Sequence, residues 1–189
     1  SSNSTRTQSD EIKKRVKLSQ VYETIRYAKQ QGMFVKCNLI IGFPTERRRD
    51  MWKTLWVAIR FAFMGVDDTG LYIFSPYPGS ELFNYLQKTG KIRDLDSSYF
   101  EGLMVFMDMG RSSEYCEHVG PRELDFYRLV GMCGFYGLSY LLHPSNILRS
   151  IRNYKSHKSD TVFEERLFAL YRRYRMEKIR RNTRDSSDR

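Results

Sequence analysis

Short apolar runs alternate with segments of helical periodicity along this chain, and this order predicts an α/β fold. Residues Phe34 to Ile41 form a nearly continuous apolar run, which is typical of a strand buried on both faces of a parallel sheet. Gly42 and Pro44 end this strand, because glycine permits a tight turn and proline prevents further pairing. A second strand is predicted from about Thr69 to Phe74.

Helices are predicted before, between and after the two strands. A first helix is predicted from about Ser19 to Gln31, ending at Gly32, with Val21, Tyr22, Ile25 and Ala28 buried. The segment between the strands predicts a helix whose buried face would carry Trp52, Leu55, Trp56, Ile59 and Phe63. Strand, helix and strand then form a β-α-β crossover. Pro78 and Gly79 fit the centre of a type II turn, and Ser80 can cap a third helix that reaches Lys88.

The pattern weakens after Gly90, so we expect a long covering loop over residues 91–120, with a short strand near 103–107. Pro121 opens a helix that should reach Leu142, and a short helix follows Pro144 through Ile151. A final helix is predicted over 161–181, with one face lined by Phe163, Leu167, Leu170 and Tyr174. Residues 182–189 are expected to be a disordered tail.

The charge, the cysteines and the apolar runs indicate the environment in which the protein works. The net charge is +10, of which residues 145–189 contribute +7. The three cysteines, Cys37, Cys116 and Cys133, show neither metal-ligand spacing nor a pairing pattern, which predicts a reducing, cytoplasmic location. The longest apolar run, Leu129 to Leu142, has 14 residues and is shorter than the roughly 20 that span a bilayer.

Two turn sequences resemble those of radical S-adenosylmethionine (SAM) enzymes. Gly42-Phe43-Pro44-Thr45-Glu46 resembles the Gly-Phe-Pro-x-Glu turn after the fifth strand of that barrel, and Pro76-Tyr77-Pro78-Gly79 resembles the turn after the sixth. The similarity is closest to members with an N-terminal cobalamin-binding domain, such as the anaerobic magnesium-protoporphyrin monomethyl ester cyclases and many methyltransferases. Ser2-Asn3-Ser4 resembles the end of the fourth strand, although Ser1 and Asn3 depart from the usual Glu and Gly. Phe135-Tyr136 and the segment from His143-Pro144 to Leu148 resemble the helical extension of that group.

The resemblance implies an α/β fold that forms the second half of a partial (β/α)6 TIM-like barrel over residues 1–90. The covering region 91–120 and a helical C-terminal extension over 121–181 would follow. It implies radical C-methylation or oxidative cyclisation of an unidentified substrate, with SAM, a four-iron four-sulfur cluster and cobalamin as cofactors. The Cys-x3-Cys-x2-Cys cluster motif is absent from the chain. The chain is then either a portion of an enzyme or an enzyme that has lost its cluster; we expect a portion, with the N-terminal half as its partner, that binds no cluster by itself.

The resemblance also implies a set of cofactor-binding residues. Ile40 would pack on the adenine, Gly42 would let the backbone approach the cofactor, and Ser2 and Ser4 would hydrogen-bond its ribose or amino-acid part. Glu46 and Tyr77 would lie at the same barrel mouth. The general alternatives are a strand residue buried in the core for Ile40, a helix cap for Glu46 and a surface ring for Tyr77.

Other interpretations remain open. Arg47, Arg48 and Arg49 predict either a solvated surface run or an anion-binding site at the barrel mouth. Among enzymes, a radical SAM methylthiotransferase or coproporphyrinogen oxidase type has similar turns. The alternative outside enzymes is a basic module that binds nucleic acid or an anionic membrane surface through residues 145–181, including Arg172, Arg173, Arg175, Lys178, Arg180 and Arg181. We do not expect nucleic-acid binding, because no compact RNA-binding motif is present.

Overall fold

The fold is built around two adjacent parallel strands. The computed structural model describes residues 17–92, 99, 115–156, 158–165, 168, 169, 171, 172, 174 and 176. Its strands are β1 (Lys36–Ile41) and β2 (Asp68–Ile73), and its helices are α1 (Leu18–Gln30), α2 (Arg48–Phe63), α3 (Glu81–Lys88), α4 (Pro121–Leu142) and α5 (Pro144–Lys155). The described residues therefore form a mixed α/β fold that is mostly helical.

The predicted parallel pairing is confirmed. β1 and β2 pair in parallel from Lys36 opposite Asp68 to Ile41 opposite Ile73, and α2 connects them. This register places Cys37, Leu39 and Ile41 of β1 on the same face as Thr69, Leu71 and Ile73 of β2. That face packs against α2 and α4, through a core of Ile41, Met51, Leu55, Leu71, Ile73, Leu124 and Tyr127.

The prediction that β1 is buried on both faces is wrong. Lys36, Asn38 and Ile40 are exposed, whereas Cys37 and Leu39 are half-buried and Ile41 is buried. The side chains of a strand alternate between its faces, and α2 and α4 pack on one face. The apolar run therefore encodes one packed face and one open face that carries Ile40.

The buried face of α2 also differs from the prediction. Its buried residues are Met51, Leu55, Ala58, Phe61 and Ala62. Of the predicted face, Leu55 is buried, Ile59 is half-buried, and Trp52, Trp56 and Phe63 are exposed. The small residues at 58 and 62 leave room for close packing on this side, whereas Trp52, Trp56 and Phe63 are left on the adjacent, outer surface.

Several predicted helix ends are confirmed. Gly32 follows α1 with φ of +71°, and Ser80 Oγ accepts a hydrogen bond from the Phe83 amide at 3.2 Å as the cap of α3. Gly79 has φ of +88°, as the third position of a type II turn requires. Within α1, Ile25 is buried while Val21, Tyr22 and Ala28 are half-buried.

The C-terminal predictions have mixed outcomes. α4 ends at Leu142 as predicted, and α5 extends beyond the predicted Ile151 to Lys155. Positions 162–165, 168, 169, 171, 172, 174 and 176 are helical, but Tyr174 is exposed rather than on a buried face. The strand predicted at 103–107, the tail 182–189, Leu167 and Leu170 lie outside the described residues.

No described helix combines the length and apolar character that crossing a membrane requires.

Candidate functional site at the carboxyl edge of the sheet

The turn after β1 is closed by the carboxylate of Glu46. Its Oε2 accepts hydrogen bonds from the backbone N–H groups of Gly42 at 2.7 Å and Phe43 at 3.0 Å. Glu46 is buried, and hydrogen bonds from backbone donors to a carboxylate are stronger than those between neutral groups. Gly42 adopts φ of +87°, a conformation that favours glycine. This glutamate therefore organises the strand-end turn, whereas the N-cap position of α2 is occupied by Arg47.

The turn after β2 lies directly beside the first. The Phe74 amide donates to the Ile41 carbonyl at 2.7 Å, and the rings of Phe43 and Phe74 have centroids 4.7 Å apart. The expectation that the two motif-bearing turns converge on one sheet edge is therefore confirmed. The rings of Phe43 and Phe74 belong to a core with Phe83, Leu86, Ile92 and Tyr99, which joins α3 to this edge.

Described residues of the 91–120 region contact both turns. The Tyr99 hydroxyl donates a hydrogen bond to the Pro76 carbonyl. The Glu117 amide donates to the Pro44 carbonyl at 3.0 Å, and Cys116 Sγ donates to the Glu46 carbonyl at 3.4 Å. These contacts fix the backbone of both turns, so the edge is a preorganised feature of the fold.

Ile40 is exposed on the open face of the sheet. Its side chain retains 45% of its accessible surface, directly opposite the half-buried Tyr72 in the register. A Cβ built at Gly70 would clash with Cε2 of Tyr72, so the tyrosine ring lies across this glycine. The open face of the sheet therefore has a mixed apolar and polar surface, formed by Asn38, Ile40 and Tyr72. Only Ile41 separates Ile40 from the turn at Gly42.

Gly42 also lies close to the packed side of the sheet, and its role toward a cofactor stays a prediction. A Cβ at this position would lie 3.2 Å from Leu124 Cδ1 and 3.5 Å from Ile73 Cγ2. The close approach that glycine permits here is therefore to α4 and β2, on the packed side of the sheet.

The remaining candidate residues are placed as follows. Tyr77 is exposed in the turn after β2, as a surface ring. Ser2 and Ser4 lie outside the described residues.

The arginine run does not form a site of three free cations. Arg48 makes a two-pronged ion pair with Glu123 of α4, with Nε–Oε1 and Nη2–Oε2 distances of 2.6 and 2.8 Å. The hydrogen bond from Arg48 lowers the pKa of the Glu123 carboxyl. Arg47 and Arg49 are exposed at the start of α2. An anion site in this region would therefore have Arg47 and Arg49 as its cations.

The described cysteines do not form a metal site. Burial raises the pKa of Cys37 to about 11, which disfavours the thiolate that an iron–sulfur cluster requires. Cys133 is exposed on α4, and Cys116 bonds to the Glu46 carbonyl. Within the described ranges no group of three or more His, Cys, Asp or Glu side chains could hold a metal ion. The cysteines of this chain do not fit an iron–sulfur cluster.

Sequence reasoning missed two buried aspartates at the opposite, amino edge of the sheet. Asp67 bonds to Lys29 Nζ at 2.6 Å, to Arg149 Nη1 at 2.8 Å and to the Val35 amide at 2.9 Å. Asp68 bonds to Lys36 Nζ at 3.0 Å, and it also accepts from the Tyr136 hydroxyl and the Val162 amide. The pair ties α1, α4, α5 and the segment around Val162 to β2. Adjacent acidic residues before an apolar run were the available signal, but their partners lie far away in sequence.

Because the pKa of Asp67 is lowered in the folded state, we expect the free energy of unfolding to decrease in acid. Burial acts to raise the pKa of Asp67, but hydrogen bonds from Lys29, the Val35 amide and Arg149 outweigh burial and hold the pKa below its ordinary value of 3.8. Its stabilising contribution is therefore complete above pH 3.8 and decreases as the pH falls through the folded-state pKa. We expect the difference in unfolding free energy between wild type and Asp67→Asn to be constant from about pH 7 to 5 and to shrink below about pH 4. Urea titrations across this range measure it, and a difference that stays constant to the acid limit would contradict the assignment.

The fold and the edge define a mixed α/β protein with two motif-bearing turns at the carboxyl ends of adjacent parallel strands. Comparisons with models of protein families, with curated proteins and with solved structures found no match.

Proposed function

We propose that this chain forms the second half of the barrel, with the helical extension, of a radical SAM enzyme of the cobalamin-binding group. The observation that carries the proposal is the placement of the two turns. Gly42 to Glu46 and Pro76 to Gly79 follow adjacent parallel strands connected by one helix, and the turns meet at one edge. In barrels of parallel strands, ligands bind at this edge.

The open face of the sheet would be the surface that binds SAM. In a barrel the helices cover the outer face of the strands, and here α2 and α4 pack on the face of Leu39 and Leu71. The opposite face, with Ile40 exposed, would then point into the barrel. Its apolar side chain suits contact with the adenine of SAM, whereas Glu46 acts as a positioning residue that holds the turn. The iron–sulfur cluster would be ligated outside this chain, and cobalamin would bind to another domain of the enzyme.

Two observations on the complete enzyme test the proposal. The sequence encoded upstream of Ser1 should contain a Cys-x3-Cys-x2-Cys motif, and anaerobic reconstitution should then yield a four-iron cluster and 5′-deoxyadenosine from SAM. Replacing Cys37, Cys116 and Cys133 together with alanine should leave the iron content unchanged, and the 189-residue chain should bind no cluster. Stoichiometric iron on the 189-residue chain, or the absence of the upstream motif, would contradict the proposal.

The role of Ile40 has its own measurement. Ile40→Glu should weaken SAM binding to the complete enzyme by at least about tenfold, because a carboxylate would replace an apolar contact with the adenine ring. Ile147→Glu is the matched control, since Ile147 is a similarly exposed isoleucine on α5. Equal SAM affinity of the two variants, measured by equilibrium dialysis, would remove Ile40 from the cofactor site.

A further inference from the structure

Helix α5 is amphipathic in the opposite sense to a normal surface helix. Its inward positions are polar, namely Asn146, Arg149, Ser150 and Asn153. Its apolar side chains Ile147, Leu148 and Ile151 face outward and retain 41%, 65% and 50% of their accessible surface. A surface helix ordinarily buries its apolar stripe against the core. We call these three residues the outer face of α5.

The inward polar side chains are held by specific partners, so the orientation of the helix is fixed. Asn146 Nδ2 donates to Ser139 Oγ at 3.0 Å, and Ser150 Oγ lies 3.2 Å from the Tyr140 hydroxyl. Arg149 pairs with Asp67 at 2.8 Å. Rotating the helix to bury its apolar stripe would break these bonds and leave buried polar groups without partners, which costs about 1–3 kcal/mol for each group.

A final inward bond joins α5 to the chain that follows it. Asn153 Nδ2 donates to the carboxylates of Asp160 at 2.7 Å and Glu164 at 3.1 Å. Glu164, like Asp67, is buried on the inward side of α5, whereas Asp160 is exposed.

The charge around the outer face is positive. Between Asp125 and Asp160 the sequence contains no acidic residue but five Lys or Arg residues, of which Arg128 is buried, Arg149 pairs with Asp67, and Arg152 and Lys158 are exposed. Arg152 is exposed on α5 and lies four residues after Leu148, so the two occupy the same side of the helix. Leu141 and Leu142, just before α5, are also exposed, as is Phe34, whose ring lies 5.0 Å from the Arg149 guanidinium.

We propose that the outer face of α5 binds the surface of an anionic lipid bilayer. An amphipathic helix with apolar side chains on one side and neighbouring cations lies in the membrane interface, with its apolar side chains at the boundary of headgroups and acyl chains. Ile147, Leu148 and Ile151 supply the apolar contact, and Arg152 supplies attraction to lipid phosphates. The charge favours an anionic bilayer over an apolar protein surface as the occupant. The inference is independent of the function proposed above.

Vesicle co-sedimentation of the full chain tests this surface. We expect binding to vesicles of phosphatidylcholine and phosphatidylglycerol in equal amounts at low salt, and little binding to pure phosphatidylcholine. The triple change Ile147→Gln, Leu148→Gln and Ile151→Gln should reduce the partition coefficient by at least about tenfold, since three apolar side chains lose their contact with the bilayer. Arg152→Gln should reduce it about fivefold, the usual effect of one cation near an anionic surface.

The controls use exposed residues elsewhere on the molecule. Trp56→Gln with Phe63→Gln makes an equally apolar part of α2 polar and should leave vesicle binding unchanged. A fluorescent label on Leu148→Cys, in a Cys133→Ser background, should shift to shorter wavelength on anionic vesicles, whereas the same label on Phe63→Cys should not. This second measurement does not depend on the stability of the triple variant.

Three results would overturn the proposal. The first is vesicle binding that does not depend on lipid charge or on the outer face of α5. In that case the wild-type chain binds neutral and anionic vesicles equally, or the wild type and the triple variant bind anionic vesicles equally. The second is absence of vesicle binding together with a dimer that the triple change converts to monomer, which would assign the face to a second copy. The third is salt-dependent RNA binding in the absence of vesicle binding, which would assign the cations to nucleic acid.

Discussion

Replacing Asp68 with alanine should lower the free energy of unfolding by about 3–5 kcal/mol, because it leaves the buried Tyr136 hydroxyl and Val162 amide without their acceptor, at about 1–3 kcal/mol for each group. The Asp68 side chain is fully buried. Its removal leaves the ammonium of Lys36, the hydroxyl of Tyr136 and the amide of Val162 without the acceptor that they share. Burial is the largest cause that raises the pKa of Tyr136, and it persists in the variant, so the hydroxyl keeps its proton and cannot replace the lost charge.

The matched control is Glu123→Ala, which removes a carboxylate from the ion pair with Arg48. That pair is largely exposed, and exposed pairs contribute about 0–1 kcal/mol. Urea denaturation of both variants gives the comparison, and hydrogen exchange of the Val162 amide should accelerate in Asp68→Ala but not in Glu123→Ala. Equal losses of stability in the two variants would show that the network at the amino edge does not hold the C-terminal segment in place.

Replacing Gly131 with valine should lower the free energy of unfolding by about 2–3 kcal/mol, because it overpacks the contact of α4 with the sheet. A Cβ at position 131 would lie 2.9 Å from Leu71 Cδ2 and 3.3 Å from Leu55 Cγ. Both leucines belong to the buried core, so they have little room to move. The strain at this contact should exceed the gain in helix propensity of about 0.5 kcal/mol that valine brings over glycine.

Gly137→Val provides the control on the same helix. Gly137 is exposed, and no described heavy atom outside the neighbouring chain and the helix backbone lies within 4 Å of a Cβ built there. This change should leave stability unchanged or raise it by about 0.5 kcal/mol. A Gly131→Val variant as stable as Gly137→Val, measured by thermal unfolding, would contradict the close approach of α4 to β2.

Local signals identified most elements of this fold. Glycines with positive φ, helix-capping residues and prolines at helix starts act within a few residues, so the ends of α1, α3 and α4 could be predicted from the sequence. The parallel pairing of β1 and β2 was also predictable, because a helix between two strands favours a parallel arrangement. The convergence of the turns at Phe43 and Phe74 follows from that pairing.

The candidate site was predictable in position but not in detail. The turn sequences placed Gly42, Glu46 and Tyr77 at one sheet edge. Whether Glu46 would face a ligand, cap α2 or close its own turn depended on backbone N–H groups that orient only in the folded turn. The exposure of Ile40 was missed, because an apolar run does not show which face of a strand receives a packing partner.

The sequence by itself determined the order of the elements, their turns and the concentration of positive charge after residue 145, since these depend on residue type and short-range spacing. Tertiary structure decided which side of each element is buried. The helical period of α2 did not decide which of its apolar residues face inward, and packing in the fold buries Met51, Ala58, Phe61 and Ala62 while Trp52, Trp56 and Phe63 stay exposed. Likewise α5 turns its polar side inward because the distant Asp67, Ser139 of α4 and Glu164 of the following segment converge there in the folded chain.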